Sequence, residues 1–321
     1  MRVGQNPAKS LKEVAKPKRI TVAVLNYIPF LSGFFAETFD VLKLCLGSIW
    51  ENTDLPYDLL VFDNASCPEV REYLVQKQQE GKIQFLILSD TNLGKGGAWN
   101  IMLAAAPGEV IAYTDNDCYF FPGWLSNSME VLETYPNVGM LTSRPIANDN
   151  AYNSSTITWA QAEPEAEIRF GRHLQWEDFR SFVSSLGVTD EEATQRYAAL
   201  EDAVLTYKGV PAYLGAIHYQ FLAYKHVLQQ FLPFDMDRPM GQVQRLDGKV
   251  NDAGYLRLMT AAPYMQNMSN QVPDWVKQQS GIAAAKTSEK KSVFKLKNLR
   301  IIKWPLMRLY DWIFKIYWRE E

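Results

Sequence analysis

Residues 92–117 read "NLGKGGAWNIMLAAAPGEVIAYTDND": a glycine-rich turn, a helix-length run, an apolar strand and then two carboxylates one residue apart. The run "EVIAYT" has the composition and length of a buried strand. Asp115, Asn116 and Asp117 interrupt it, and Tyr119, Phe120 and Phe121 resume it. Gly94, Gly96 and Gly97 let backbone approach a ligand closely, and a helix beginning there offers its amino terminus to a phosphate. Two Asp residues at i and i+2 in a turn beyond a strand can reach one ligand. Hard divalent cations take one or two such carboxylates and fill their remaining positions with phosphate oxygens.

The neighbouring sequence repeats the alternation. "RITVAVLNY" (19–27), "YDLLVFDNAS" (57–66) and "IQFLILSD" (83–90) read as strands. "VLKLCLGSIWENT" (41–53) has Leu42, Cys45, Leu46 and Ile49 at helical spacing, and "PEVREYLVQKQQEGK" (68–82) is an amphipathic helix stopped by Gly81. Strands alternating with helices at this rhythm predict right-handed βαβ units and a parallel sheet. Ligands bind such sheets at the carboxyl ends of the strands, which is where Asp63, Asp90, Asp115 and Asp117 fall. From about 145 to 208 the text becomes charged and helix-prone, which predicts a helical insertion. Strand-like text returns at "YLGAIHYQFLAY" (213–224), and "VQRLDGKVNDAGYLRLM" predicts a helix ending at Gly254, then a strand.

The order of these segments resembles family 2 glycosyltransferases. "ITVAVLNY", "LLVFDNAS", residues 92–117 and "GWL" (123–125) occur in the family's sequence and spacing, over about residues 19–145 and more weakly over 210–270. The resemblance implies a GT-A (nucleotide-diphospho-sugar transferase) fold: an α/β architecture with a mostly parallel central sheet flanked by helices. It also implies an inverting transfer from a nucleotide-sugar donor to a hydroxyl of a glycan or lipid-linked acceptor, in cell-surface polysaccharide biosynthesis. "NLGKGGAWN" matches the family's N-x-G-x-x-x-A-x-N stretch and "DND" its DxD motif. On that basis Asp63 becomes a base or ribose contact, Lys95 a nucleotide or phosphate contact, and Asp115 a ribose or metal contact. Asp117 becomes the ligand of a divalent cation, Mn²⁺ or Mg²⁺, bridging the diphosphate. Asn26, Asn92, Gly96 and Asn100 complete the donor set.

Two positions depart from the family pattern. Where an E-D pair commonly supplies the base, this chain has Gln242 and Val243, which leaves Asp247 as the candidate, with Asp235 and Asp237 as rivals. Where relatives carry a metal-binding His, "YMQNMSN" (264–270) has Asn267, a poorer ligand. His218 and His226 lie in apolar text and read as structural. A nucleotidyltransferase is disfavoured because "LNYIPFLSG" lacks a glycine-rich basic signature after the first strand. A non-catalytic binding or scaffold protein derived from a transferase stays open.

Composition bounds the rest. The 321 residues are 47% apolar and 21% charged, with net charge −3, ordinary for a globular protein. Between Lys290 and Arg319 nine Lys or Arg face Asp311 alone, leaving 24 basic and 35 acidic residues elsewhere. An acidic body argues against nucleic acid as a partner. The basic tail (292–321) carries "PLMRLYDWIFKIYWR", whose apolar and cationic residues segregate at helical spacing, the plan of a helix lying on an anionic membrane surface. Residues 277–291 read as a polar linker, 19–276 as the catalytic domain and 1–18 as a basic extension. With three scattered cysteines and no apolar leader, the expected location is cytoplasmic, peripheral to the membrane's inner face.

Overall fold

A computed structural model describes residues 4–147, 152–237 and 244–279. The chain divides into two units at Val272/Pro273. In the second unit the described part is one short helix, α10 (Asp274–Gln279), whose first turn is closed on the Pro273 carbonyl. The linker beyond it and the basic tail lie outside the described residues.

The first unit is built on β1 (Ile20–Asn26), a strand buried along its whole length. Its β-branched residues suit a pleat covered on both faces. Ile20, Val22 and Val24 enter one core, whereas Ala23 and Leu25 enter the other. Helix α1 (Thr38–Asn52) covers the first face with Val41, Leu42, Cys45, Leu46 and Ile49, all buried. β2 (Tyr57–Asn64), α2 (Pro68–Gln79), β3 (Phe85–Ser89), α3 (Gly94–Ala105) and β4 (Val110–Asp115) follow. The four strands pair in parallel in the order β3-β2-β1-β4, as the βαβ rhythm predicts.

Beyond β4 the sheet is mixed. β5 (Cys118–Phe120) leaves it to form a two-stranded ribbon with β12 (Met265–Asn267). α4 (Trp124–Thr134) and β6 (Val138–Thr142) return to the sheet, and β10 (Gln220–Tyr224) runs antiparallel between β4 and β6. β11 (Leu256–Thr260) pairs in parallel with β6 and is followed by β9 (Val210–Leu214), β8 (Asp202–Tyr207) and β7 (Ala166–Gly171), each antiparallel to its neighbour. Helix α9 (Gln244–Asp252) packs with α3 on the second face through Leu246 and Val250.

The 145–208 segment departs from the purely helical reading. It carries α5 (Ser154–Ala162), α6 (Trp176–Ser185) and α7 (Asp190–Ala198), but also β7 and β8, an antiparallel pair that extends the central sheet. β7 alternates polar and part-buried residues at an edge, a pattern too weak to separate from an exposed helix in "EPEAEIRFGRH". α6 and α7 enclose a separate small core of Leu174, Phe179, Val183 and Ala193. The single apolar run at 213–224 is two strands, with a loop through Gly215 at φ +112° between them.

Glycine is required where α3 meets the 233–236 segment. A Cβ on Gly96 would lie 2.8 Å from the Asp235 carbonyl oxygen and 3.3 Å from Phe234 Cβ, whereas one on Gly47, inside α1, meets nothing within 4 Å. Gly96→Ala is expected to destabilise by about 1–3 kcal/mol, because backbone must move. Gly47→Ala is expected to stabilise by roughly 0.5–1 kcal/mol, because alanine loses less backbone entropy in a helix. Urea unfolding of the two variants checks both signs.

Candidate functional site

The carboxyl ends of β1, β2 and β4 border a cleft lined by Tyr27, Asn64, Asn92, Lys95, Asp115 and Asp117. It continues through Tyr27, Asn116 and Asp117 into a narrower recess lined by Phe34, Phe35 and Asn270. Its rim is aromatic: Tyr27, Phe30 and Phe34 are exposed, and all three rings meet or adjoin Phe35 edge to face.

Asp115 closes β4 and is charge-compensated from within. Lys95 Nζ lies 2.7 Å from its Oδ2, and the Tyr113 hydroxyl donates to its Oδ1. Lys95 reaches it from the first turn of α3, its ammonium 5.7 Å from the ring centres of both Trp99 and Tyr113. Those rings pack at 4.9 Å in a buried aromatic cluster with Phe221 and Phe234. Burial, reinforced by the Asp115 charge, raises the Tyr113 phenol well above its ordinary range, so it stays a donor.

Asp117 is different. It begins the turn into β5, half-buried, and burial together with the Asp115 charge pushes its carboxyl up to about 7. A hydrogen bond from the Asn267 side chain and the more distant Lys95 charge only partly oppose this. Asn267 reaches it across the β5–β12 ribbon, where it pairs with Cys118, and the Met268 amide donates to the Asp117 carbonyl at 2.7 Å. The Asn267 Oδ1 is engaged by the Ser269 amide at 2.9 Å, so it turns its amino group, not an oxygen, towards Asp117. Cys45 and Cys118 are buried beside this pair. Burial and the Asp117 charge raise both thiols.

The remaining expected site residues separate into two groups. Asn92 borders the cleft: its Oδ1 accepts from the Gly94 amide at 2.8 Å and from Asn64 Nδ2 at 2.9 Å, holding the glycine-rich turn in place. Asn26 and Asp63 are fully buried and bind each other at 2.8 Å. Asn26 also donates to Ser66 and accepts from Asn116 Nδ2 at 2.6 Å. They shape the cleft floor instead of facing it. Asn100 is spent on the Phe234 backbone, accepting from its amide at 2.6 Å and donating to its carbonyl at 2.9 Å. Gly96 lies under the Asp235 carbonyl rather than against a ligand.

Asp247 is neither a solvated helix residue nor open to the cleft. Its side chain is 10% exposed. Oδ2 lies 3.0 Å from His218 Nδ1 and Oδ1 lies 3.1 Å from Arg257 Nη2. Arg257 is buried on β11, and its guanidinium also donates to the carbonyls of Tyr152, at 2.7 Å, and Ala216. Of the rivals, Asp235 is exposed and paired with Arg245 at 3.0 Å; Asp237 is exposed. Asn64, Asn116, Tyr113, His218 and Arg257 were absent from the expected set. Asn64 and Asn116 sit inside the quoted "DNAS" and "DND" turns and could have been proposed. Arg257 reads as one polar residue in an apolar strand, with no sequence signal for its partners.

Among the described residues no group of three or more His, Cys, Asp and Glu side chains stands ready to hold a metal. The chemistry of the donors still fits a hard divalent cation. Asp117 is a carboxylate with an unfavourable, incompletely offset charge, and one carboxylate plus diphosphate oxygens suffices for Mg²⁺ or Mn²⁺. Asp115, each of whose oxygens is already engaged once by Lys95 or Tyr113, is the better compensated of the two carboxylates.

A raised carboxyl makes the fold less stable as it ionises: the stability is complete near the ordinary value of 3.8 and falls as the pH rises through about 7. Asp117→Asn is therefore expected to raise the melting temperature of the metal-free protein by a few degrees at pH 8 and to leave it unchanged at pH 4. Calorimetric melting at the two pH values reads this directly.

Comparison with known proteins bears on the same elements. The match to an uncharacterized glycosyltransferase from Nostoc sp. is 29% identical over 109 residues and spans 34% of each chain. Solved structures with a similar course include S. aureus TarS 1–349 in complex with UDP, at 13% identity, covering 77% of this chain and 60% of that one with a TM-score of 0.47. A mannosyltransferase from Pyrobaculum calidifontis, in complex with GDP-Man and Mn²⁺, is 17% identical, covering 78% of this chain and 55% of that one with a TM-score of 0.44. Residues 34–186 match the family model described as glycosyl transferase family 2, a span running from the aromatic rim through α6. The likeness to glycosyl transferase family 2 thus covers the segment that carries Lys95, Asp115 and Asp117.

Proposed function

We propose that this protein transfers a sugar from a nucleoside-diphosphate sugar to a hydroxyl of a glycan or lipid-linked acceptor, with inversion at the anomeric carbon, in cell-surface polysaccharide biosynthesis. The observation that carries the reading is the juxtaposition of Lys95 with Asp115 and Asp117 at the carboxyl end of β4, in a cleft with aromatic walls. The Tyr27 and Phe34 rings suit a base and ribose, while Lys95 and the amino terminus of α3 suit a diphosphate. Asn64 and Asn92 keep that turn in one conformation by holding the Leu93 and Gly94 amides, so Lys95 is in position before the donor arrives.

A departing nucleoside diphosphate gathers negative charge. Lys95 can swing its ammonium from Asp115 towards that charge, at which point the Tyr113 hydroxyl still holds Asp115. A divalent cation held by Asp117 and the diphosphate would supply Lewis-acid stabilisation when bound. Wall and floor residues exclude water from the donor, with Asn26, Asp63 and Ser66 locking the turn beneath it.

The sequence resemblance to family 2 glycosyltransferases supports inversion and the acceptor class. The basic amphipathic sequence 292–321 supports a peripheral position on the cytoplasmic face of an anionic membrane. No helix of the described residues is long and apolar enough to cross a membrane.

Calorimetric titration with UDP, GDP and dTDP, with and without Mn²⁺, tests the reading. One nucleotide is expected to bind in a metal-dependent manner. Asp117→Ala should abolish the metal dependence, and Lys95→Met should weaken nucleotide binding roughly tenfold, about 1.4 kcal/mol. A folded protein that binds none of the three is not a nucleotide-sugar transferase.

A further inference from the structure

We propose that His218 takes the proton from the acceptor hydroxyl and that Asp247 acts on the reaction only by positioning it. The inference rests on the transferase reading and names the base for it.

The chain places His218 beside the site through the turn that precedes β10. β10 runs antiparallel to β4 with Gln220 opposite Thr114, and the Asp115 amide donates to the Tyr219 carbonyl at 2.8 Å. His218 and Tyr219 form the tight turn before β10, bridged by Ile217 and Gln220, and the Tyr219 contact sets that turn against the end of β4, whose Asp115, Asn116 and Asp117 line the cleft. The ring is held at one edge and open at the other. Its Nδ1 lies 3.0 Å from Asp247 Oδ2, and 31% of the side chain remains exposed. A neutral imidazole that donates Nδ1–H to a carboxylate keeps its lone pair on Nε2, the tautomer a general base needs.

Asp247 cannot take this role itself. Its side chain is buried, and its oxygens face His218 on one side and Arg257 on the other. Arg257 is fixed in turn by the Tyr152 and Ala216 carbonyls. Ala216 begins the loop that presents His218, so one buried guanidinium holds both the loop and the carboxylate that orients the ring. This is the base–orienter geometry of a histidine activated by a carboxylate.

In the step, the acceptor O–H gives its proton to Nε2 and its oxygen forms the new bond to the anomeric carbon. The bond from that carbon to the phosphate oxygen breaks, and its electron pair leaves with the nucleoside diphosphate. The imidazolium so formed is stabilised by Asp247. Water replaces the acceptor in slow hydrolysis of the donor, which makes the base measurable without knowing the acceptor.

Two measurements on the full chain test the proposal. Long-range ¹H–¹⁵N correlation spectra at neutral pH, assigned with His218→Gln, should show His218 as the Nδ1–H tautomer, and Asp247→Asn should shift it towards Nε2–H. Hydrolysis of UDP-glucose, GDP-mannose or dTDP-rhamnose, chosen by which nucleotide binds, should fall at least about 100-fold in kcat for His218→Ala. Nucleoside diphosphate affinity should be unchanged, and added imidazole should restore part of the rate, which a purely structural loss does not allow. An Nε2–H tautomer in the wild type, or His218→Ala turning over at the wild-type rate, overturns the proposal while leaving the transferase reading intact. A wild-type protein that binds no nucleoside diphosphate overturns both.

Discussion

The two carboxylates at the end of β4 impose the central constraint on this molecule. β4 lies between β1 and β10, in the middle of the sheet, so the charges it carries emerge where solvent is scarce. Lys95 and Tyr113 neutralise and hold Asp115, and that demand fixes where α3 must begin. The close approach of the 233–236 segment over Gly96, clamped by Asn100, presses the same helix down from its other side. Asp117 receives less: one amide from Asn267 and a share of the Lys95 field. Unfavourable ionisation at one carboxylate is the form a binding site takes when its counter-charge comes with a ligand.

A second polar knot ties the later half of the chain to the first. Arg257 sits on β11 with no access to solvent, and its burial lowers the guanidinium's proton affinity against the pull of Asp247. A charge so placed is tolerated only when its partners are well placed. They come from α9, from the loop before β10 and from the segment before α5. The insertion, the loop carrying His218 and the helix carrying Asp247 are thus referred to one side chain. Separate cores on the two sheet faces, and a third within the insertion, supply the apolar burial around it.

The two knots divide the work the proposed chemistry requires. The first handles the leaving group, with lysine, helix terminus and carboxylate at one strand end. The second handles the incoming hydroxyl, with a histidine backed by a buried carboxylate. β10 brings them together, because its antiparallel pairing with β4 sets the loop before it against the turn after β4.

The sequence by itself determined β1 to β4, α1 to α3 and the position of the acidic turn. Strands buried on both faces are unbroken apolar runs, and helices packed on one face carry a 3.6-residue stripe, so both announce themselves over a few residues. The aspartates, Lys95 and Asn92 were legible for the same reason: they lie within one continuous strand–turn–helix text. Tertiary structure alone decided which of the remaining candidates face the cleft. Asn26 and Asp63 are turned into a mutual hydrogen bond between adjacent strands, and Asn100 and Gly96 serve a segment 134 or more residues away. His218, read as structural from its apolar neighbours, owes its place to the turn whose Tyr219 carbonyl meets the Asp115 amide, and Asp247 owes its burial to an arginine on another strand. Pairing register and long-range ion pairs depend on contacts between distant segments, and no local pattern of residue types encodes them.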